Sequence, residues 1–308
     1  MNFRYLWTAA FTSALLLTTL VACSSTTEPS DFVEEELAEP TEPEPPAFET
    51  LRDQAEEAFQ ERREREYAEE AIALWTQALA DDSADEQSPG EIAEVYEHLA
   101  YAHYFVARFH ESDGPSLSAD SDVSTHADNG VEAASEALRI QAPEFLRAVE
   151  RGAPFEAQLP EAPPEAVETL LWYAKNMDIK ARTEGVSQSV ATTPVVEAIM
   201  DFVVDTEPDA HFGAAHRFFG THWIERPFHR DPEASAHAFA DARDLAPDFV
   251  LTDILEAHHL AEAQGDTERS EELLNEALDK KGDATTELSP EDRIALQWAA
   301  ELMKTQDE

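Results

Sequence analysis

A helical spacing of apolar residues runs from residue 48 to the C-terminus and constrains the fold more than any other feature of the sequence. In its first segment, Leu51, Ala55, Ala58 and Phe59 follow the i, i+4, i+7, i+8 spacing that places side chains on one helix face. Glycine, which weakens helix interiors, occurs only 9 times in 308 residues. No long stretch has the Val/Ile/Thr alternation that is typical of strands. The sequence therefore predicts an all-α fold.

Caps that contain proline divide this region into separate helices. Ser88-Pro89-Gly90-Glu91 has the form of a capping box with proline at the first helical position. Asp231-Pro232-Glu233 and Ser289-Pro290-Glu291 place a capping side chain before a proline in the same way. The other boundaries that we predict are a loop over 111–125, a helix start at Thr193-Pro194, and helices over 210–224 and 249–264.

Three helices share a small–large–small pattern that is typical of the second helix of tetratricopeptide repeats. Two of the matches start 35 residues apart, at Ser235 and Ser270, close to the ~34-residue period of that class. The three matches are Ser235/Phe239/Ala242 with Pro247, Ser270/Leu274/Ala277, and Ala71/Trp75/Ala78. We therefore predict that residues 48–308 form a tetratricopeptide-like helix-pair repeat bundle or solenoid.

The N-terminus has the pattern of an export signal. One basic residue, Arg4, precedes a largely apolar run, as in a secretory signal peptide over residues 1–22. The run ends in Leu20-Val21-Ala22-Cys23, which resembles a bacterial lipobox and implies lipidation of Cys23. A transmembrane anchor and a secreted protein are the alternatives. Ser24 after the cysteine favours the outer membrane by analogy with sorting rules, and hence a lipid anchor facing the periplasm.

The segment from the cysteine to residue 47 is predicted to be a disordered acidic tether. It contains Pro29, Pro40, Pro43, Pro45 and Pro46, many acids and no Lys or Arg. Such a composition cannot bury enough apolar surface to offset the entropy of ordering. Residues 23–47 are thus predicted to link the lipid to the helical domain.

Composition excludes several classes of function. The chain has 66 acidic and 21 basic residues, a formal charge of -45, which would repel nucleic acid. We interpret this negative charge as that of a well-solvated surface. The alternative is that the charge steers a basic partner or a cation towards the protein. Cys23 is the one cysteine, so the sequence holds no internal disulfide and no cysteine-based zinc site.

We find no pattern that predicts catalysis or a cofactor. The sequence lacks a Gly-rich phosphate loop, a G-x-S-x-G elbow and an H-E-x-x-H motif. Glu256 and His259 have the spacing of a di-iron motif, but the second pair that such a site needs is missing. We therefore predict a protein that is not an enzyme and that has no metal site.

Two aromatic segments are candidates for ligand binding. Phe218 and Phe219 follow His216 in one segment, and Trp172 and Tyr173 are adjacent in the other. Their side chains could line an apolar ligand cavity. The alternative is that they belong to the core between helices.

Several blocks in order resemble the TRAP transporter T-component family. They are Leu170-Leu171-Trp172-Tyr173-Ala174, His216-Arg217-Phe218-Phe219-Gly220, Pro227, Arg230-Asp231-Pro232-Glu233-Ala234 and Gly265-Asp266. The resemblance implies an exported lipoprotein of degenerate tetratricopeptide-like helix pairs. It also implies a homo-oligomer with a hydrophobic channel or groove, working beside the periplasmic solute-binding protein of a TRAP uptake system.

The function predicted from this resemblance is that of an accessory component of TRAP-type uptake. It would dock the solute-binding protein, relay an apolar small ligand, or do both. A tetratricopeptide-type adaptor lipoprotein in cell-envelope assembly is the alternative. The first predicts a solute-binding partner or a small ligand, whereas the second predicts an extended peptide.

Overall fold

The computed structural model describes residues 47–112, 114–118, 121–226, 228–282 and 288–306. Within these ranges all regular secondary structure is helical and there is no strand. The predicted signal peptide, Cys23 and the tether through residue 46 lie outside the described residues, as does Pro227. The α-helices are α1 Phe48–Gln60, α2 Arg65–Ala80, α3 Pro89–Phe105, α4 Ser121–Gln141, α5 Pro143–Glu150, α6 Phe155–Gln158, α7 Val167–Glu184, α8 Val186–Thr206, α9 Ala210–Glu225, α10 Pro232–Leu245, α11 Leu251–Leu255, α12 Glu262–Gln264, α13 Thr267–Gly282 and α14 Pro290–Gln306.

Two π-helical segments and three short 3₁₀ turns complete the described backbone. The segment Val106–His110 continues α3, and Glu256–Ala261 joins α11 to α12. The 3₁₀ turns are Asp82–Glu86, Leu159–Glu161 and Pro164–Ala166.

Helices that follow one another in the chain pack in pairs. The pairs are α1 with α2, α3 with α4, α7 with α8, α9 with α10, and α13 with α14, and α4 also packs along α7. All nine residues of the three small–large–small patterns are at most 1% exposed. They include Trp75, Phe239 and Leu274, which fill the core between the paired helices. None of the described helices is both long and apolar enough to cross a membrane.

The predicted caps are present. The Ser88 hydroxyl accepts from the Glu91 N–H, and the Ser88 N–H donates to the Glu91 carboxylate at 3.0 Å, which completes the capping box of α3. The Asp231 carboxylate accepts from the Ala234 N–H at 3.0 Å. Ser289 caps α14 by accepting from the Asp292 N–H, also at 3.0 Å.

Two predicted boundaries were wrong: buried contacts extend one helix into the predicted loop, and the other helix runs through the proline that we predicted at its start. Helix α4 begins at Ser121, inside the predicted loop, where Val123 is fully buried against Ile179. Helix α8 begins at Val186, so Pro194 lies inside it and not at its start. The predicted helix over 249–264 begins at Leu251 and contains a π-helical segment.

Helices α4 and α7 cross closely at Gly130. A Cβ atom at this position would lie 2.3 Å from Cγ and Oδ1 of Asn176. The Asn176 side chain is fully buried, and its amide nitrogen donates to the carbonyls of Ala100 and Trp172, both at 2.9 Å. Only glycine lets the two helices approach this far without displacing that amide.

An ion pair joins the first and last described helices. Arg62, just after α1, donates through Nη2 to Glu291 Oε1 in α14 at 3.0 Å. The Tyr101 hydroxyl also donates to Glu291. Because the carboxylate is almost completely buried, this contact is among the polar features that fix the ends of the helical domain together.

Candidate functional site

An inner cavity lies among α3, α7, α9 and α11. Its volume is about 110 Å³, measured as the space open to the centres of water-sized molecules, so it could hold several waters or a small ligand. We call it the inner cavity. Its walls combine aromatic side chains, among them Tyr104, Trp172 and Phe249, with the basic side chains Arg108, Lys175, Arg182 and Arg217.

The aromatic wall is built around Trp172. Tyr101 stacks on the Trp172 ring with the centroids 4.1 Å apart and an interplanar angle of 12°. The Tyr104 ring is tilted against the indole with the centroids 5.5 Å apart, and His211 makes a T-shaped contact with it at 4.3 Å. The wall is therefore a packed aromatic cluster that suits contact with an apolar or aromatic ligand group.

The helices that line the cavity are irregular where they reach it. The π-helical segment Val106–His110 contributes Arg108 and Phe109, and the segment Glu256–Ala261 contributes His259. At the start of α9, His211, Phe212 and Gly213 have φ values of 44°, 61° and 77°. π-Helical segments and left-handed residues cost free energy and are frequent at functional sites. Their concentration around one cavity marks it as the candidate site.

Arg217 holds the left-handed turn in place. Its guanidinium donates to the carbonyl of Phe212, and Nη2 donates to the carbonyl of His211 at 2.7 Å. The same group lies over the ring of Phe249, 4.4 Å from the centroid, and Phe212 stacks on that ring at 4.6 Å. Each left-handed non-glycine residue costs roughly 1–2 kcal/mol, so these contacts offset a real strain.

The carboxylates that line the cavity are already paired. Asp178 accepts from Arg182 Nε at 2.8 Å, and Glu225 accepts from the same guanidinium. Glu225 also contacts His259 Nδ1 at 2.8 Å. The remaining lining carboxylate, Glu291, is bound by Arg62 and Tyr101 as described above.

Burial changes the proton affinity of the lining bases. Burial, together with the positive charge of Arg217, lowers the pKa of Lys175 to about 7, although Asp178 opposes the shift. Burial also lowers the pKa of Arg217 to about 10 and lowers that of Arg108. The charged forms of these groups are thus less stable here than in water.

The structure divides the residues that we predicted to bind ligand. Trp172 and Phe218 line the inner cavity. Tyr173 points elsewhere and stacks on Phe155 at 5.9 Å, and Phe219 stacks on Trp223 at 6.0 Å. His216 lies 3.8 Å from a carboxylate oxygen of Asp241. The two predicted segments therefore each contribute one side chain to the cavity.

The basic lining residues were not predicted from the sequence. Lys175 follows Trp172 by three residues and Arg182 follows Lys175 by seven, so all three share one face of α7. That stripe, with two basic residues on the same helix face as a tryptophan, is the signal that could have revealed the site. Glu256 and His259, considered above for a metal, have other partners: Glu256 accepts from Arg243 and Arg269, and His259 contacts Glu225.

Within the described residues, the fold and the cavity together define an all-helical protein with an internal cavity lined by aromatic and basic side chains. A family model supports a more specific assignment: the model of the TRAP transporter T-component matches residues 79–308. The chain belongs to this family and is therefore a component of a TRAP-type transport system, associated with the cell envelope. None of the curated proteins matches the sequence.

Proposed function

We propose that the protein is a lipid-anchored, periplasm-facing accessory component of TRAP-type uptake. It docks the periplasmic solute-binding protein and passes a small, largely apolar ligand between that partner and the inner cavity. The observation that carries this proposal is the family match over residues 79–308. The aromatic wall around Trp172 supports the ligand part of the proposal, and the lipobox at Cys23 supports the anchor.

The docking surface that we propose surrounds the mouth of the cavity. Phe212 lines the cavity and is 49% exposed, so the cavity reaches the protein surface at this side chain. Leu245, 39% exposed, lies next to the same turn, since a Cβ on Gly213 would be 3.5 Å from its Cδ1. An exposed apolar rim of this kind suits contact with a partner protein.

The tetratricopeptide-like repeat is part of this proposal. Its support is the near-complete burial of the three small–large–small patterns and the pairwise packing of consecutive helices. Repeats of that class present concave surfaces to partners. We further propose that the lipid-anchored protein lies at the outer membrane and forms a homo-oligomer.

The test is co-purification from membranes, with mass spectrometry of the proteins that bind the full-length chain. We expect a periplasmic solute-binding protein together with TRAP membrane subunits. Phe212→Asn, at the cavity mouth, should reduce their recovery. Phe228→Asn is the matched control, because Phe228 is 70% exposed but does not line the cavity. Asparagine tolerates left-handed backbone, which Phe212 has.

Two outcomes would contradict the proposal. Recovery of envelope-assembly proteins without any transport component would favour the adaptor alternative. Equal recovery with Phe212→Asn and Phe228→Asn would refute the docking surface.

The anchor is tested separately. Cys23→Ala should move the protein from the membrane fraction to the soluble fraction, and retention at the membrane would exclude lipid anchoring through this residue.

A further inference from the structure

An exposed apolar face lies at the start of α8. The side chains of Val186 and Val190 are 65% and 51% exposed, and Pro194 follows at the same spacing and is also exposed. Residues at i, i+4 and i+8 lie on one side of a helix, so the three side chains form a continuous apolar surface. We call this surface the α8 face.

The α8 face lies in a stretch of the chain that carries no charge. Residues 185–196 contain no Asp, Glu, Lys, Arg or His, although 28% of the residues of the chain are charged. Of the two acids that flank the stretch, Glu184 belongs to α7, and Glu197 is paired with Arg226 at 2.8 Å. The face is therefore an uncharged apolar surface on a strongly acidic protein.

The backbone holds this face in a fixed position. Gly185 ends α7 with a φ of 108°, which glycine adopts without a clash, and the chain turns directly into α8. The Ser189 hydroxyl donates to the Ala181 carbonyl at 3.2 Å and ties the first turn of α8 to the last turn of α7. Further along α8, Val196 and Met200 are buried in the core. A surface that is already fixed loses little conformational entropy when it binds.

The charge of the protein indicates which partner suits this face. Two copies of a chain with a formal charge of -45 repel each other across most of their surfaces. Contact between copies therefore costs least where neither copy contributes a charge. Around a rotation axis that passes through the α8 face, each copy presents the same uncharged residues to the next. A basic partner, in contrast, gains no charge complementarity from a face without acids.

We infer that a second copy of this chain binds at the α8 face, with Val186 and Val190 of each copy in contact. This inference names the contact surface of the proposed homo-oligomer and rests on that proposal. A stable interface buries about 800 Å² per partner, which is more than three side chains supply, so the contact is weak and reversible in solution. The proposed lipid anchor would confine the copies to one membrane surface and raise their effective concentration.

The first test measures self-association of the purified full chain by sedimentation velocity, over a range of protein and NaCl concentrations. We expect association that strengthens with salt, because screening weakens the repulsion between acidic surfaces and leaves the apolar contact. Val186→Glu/Val190→Glu should weaken the association about ten-fold or more, since it places unpaired charges in the contact. The matched control is Tyr67→Glu/Phe228→Glu, which adds the same two charges at exposed apolar positions outside the α8 face.

The second test locates the contact in the membrane by cross-linking. Val190→Cys in the full chain adds one thiol, since Cys23 is the one natural cysteine and its sulfur would carry the proposed lipid. A bis-maleimide reagent should convert this variant to a dimer on a denaturing gel. Phe228→Cys is the control, because Phe228 is 70% exposed and should give little dimer.

Three results would overturn the inference. A native chain that stays monomeric at every salt concentration would refute self-association, and the proposed homo-oligomer with it. Unchanged association in Val186→Glu/Val190→Glu would refute the α8 face but leave the homo-oligomer in place. Cross-linking of Val190→Cys to a different protein would show that the face binds another partner. The transport role is tested apart from these results, by recovery of the solute-binding protein.

Discussion

The close crossing of α4 and α7 gives a prediction whose size can be worked from the structure. In Gly130→Ala, the new Cβ would lie 2.3 Å from Asn176, whereas ordinary contacts begin at 3.4 Å. The amide must therefore retreat by about 1.1 Å. Its two hydrogen bonds to Ala100 and Trp172 are both 2.9 Å long, so this shift breaks them.

The expected loss follows from those broken contacts. Overpacking and an unsatisfied buried amide together cost roughly 2–4 kcal/mol, and the better helix propensity of alanine returns about 1 kcal/mol. We expect Gly130→Ala to lower the free energy of unfolding by about 1–3 kcal/mol. Urea unfolding of the purified protein measures this loss as a lower midpoint concentration of urea, while the slope of the free energy against urea concentration stays constant.

The matched control is the same substitution at Gly90, in the first turn of α3. A Cβ there would meet only the Ser88 hydroxyl oxygen, at 4.0 Å, and Gly90 is exposed. Gly90→Ala should stabilise the protein by about 0.4–1 kcal/mol, because alanine restricts the unfolded chain. The double variant Gly130→Ala/Asn176→Ala should recover part of the loss. Equal effects of the two alanine substitutions would refute the steric argument.

Two further predictions concern buried charges. Burial raises the pKa of Glu97, which accepts from the Thr169 hydroxyl, to about 7. The folded protein therefore holds this proton more tightly than the unfolded chain, and stability falls as the pH rises through about 4.5 to 7. The free energy of unfolding of Glu97→Gln minus that of the native protein should be roughly 2 kcal/mol larger at about pH 8 than at about pH 5. A difference in melting curves that does not change with pH would contradict this. Arg62→Met should destabilise by about 3 kcal/mol because it leaves the buried Glu291 without its cation. Arg147→Met, in an exposed pair with Glu144, should cost at most about 1 kcal/mol in the same unfolding assay, and equal losses would count against the buried pair.

Much of the helical architecture could be predicted because its signals are local. Ser88 and Asp231 cap helices through their own neighbours, so sequence spacing is sufficient to find them. The start of α4 could not be predicted in this way. Val123 is buried by contacts with a distant helix, and a polar stretch around it gives no local sign of that packing.

The candidate site was harder to predict because its residues are scattered. Arg108, Lys175 and Arg217 come from three separate segments, and only the tertiary structure brings them to one cavity. Adjacent helical residues point about 100° apart, which is why Phe218 lines the cavity while Phe219 packs on Trp223. An aromatic cluster in the sequence therefore identifies the segment but not the side chain that faces the ligand.

The costs concentrated at the inner cavity are the strongest physical argument that it is a site and not a packing defect. A void in a helical core could be closed by larger apolar residues, with regular helices and no buried cation. Here His211 and Phe212 adopt left-handed backbone, two π-helical segments meet the same space, and Lys175 lacks a charge partner among the described residues. Each feature costs free energy that a tightly packed apolar core would not require. A ligand that contacts these walls would add binding free energy to the folded state, which is what the proposed relay of a small ligand requires.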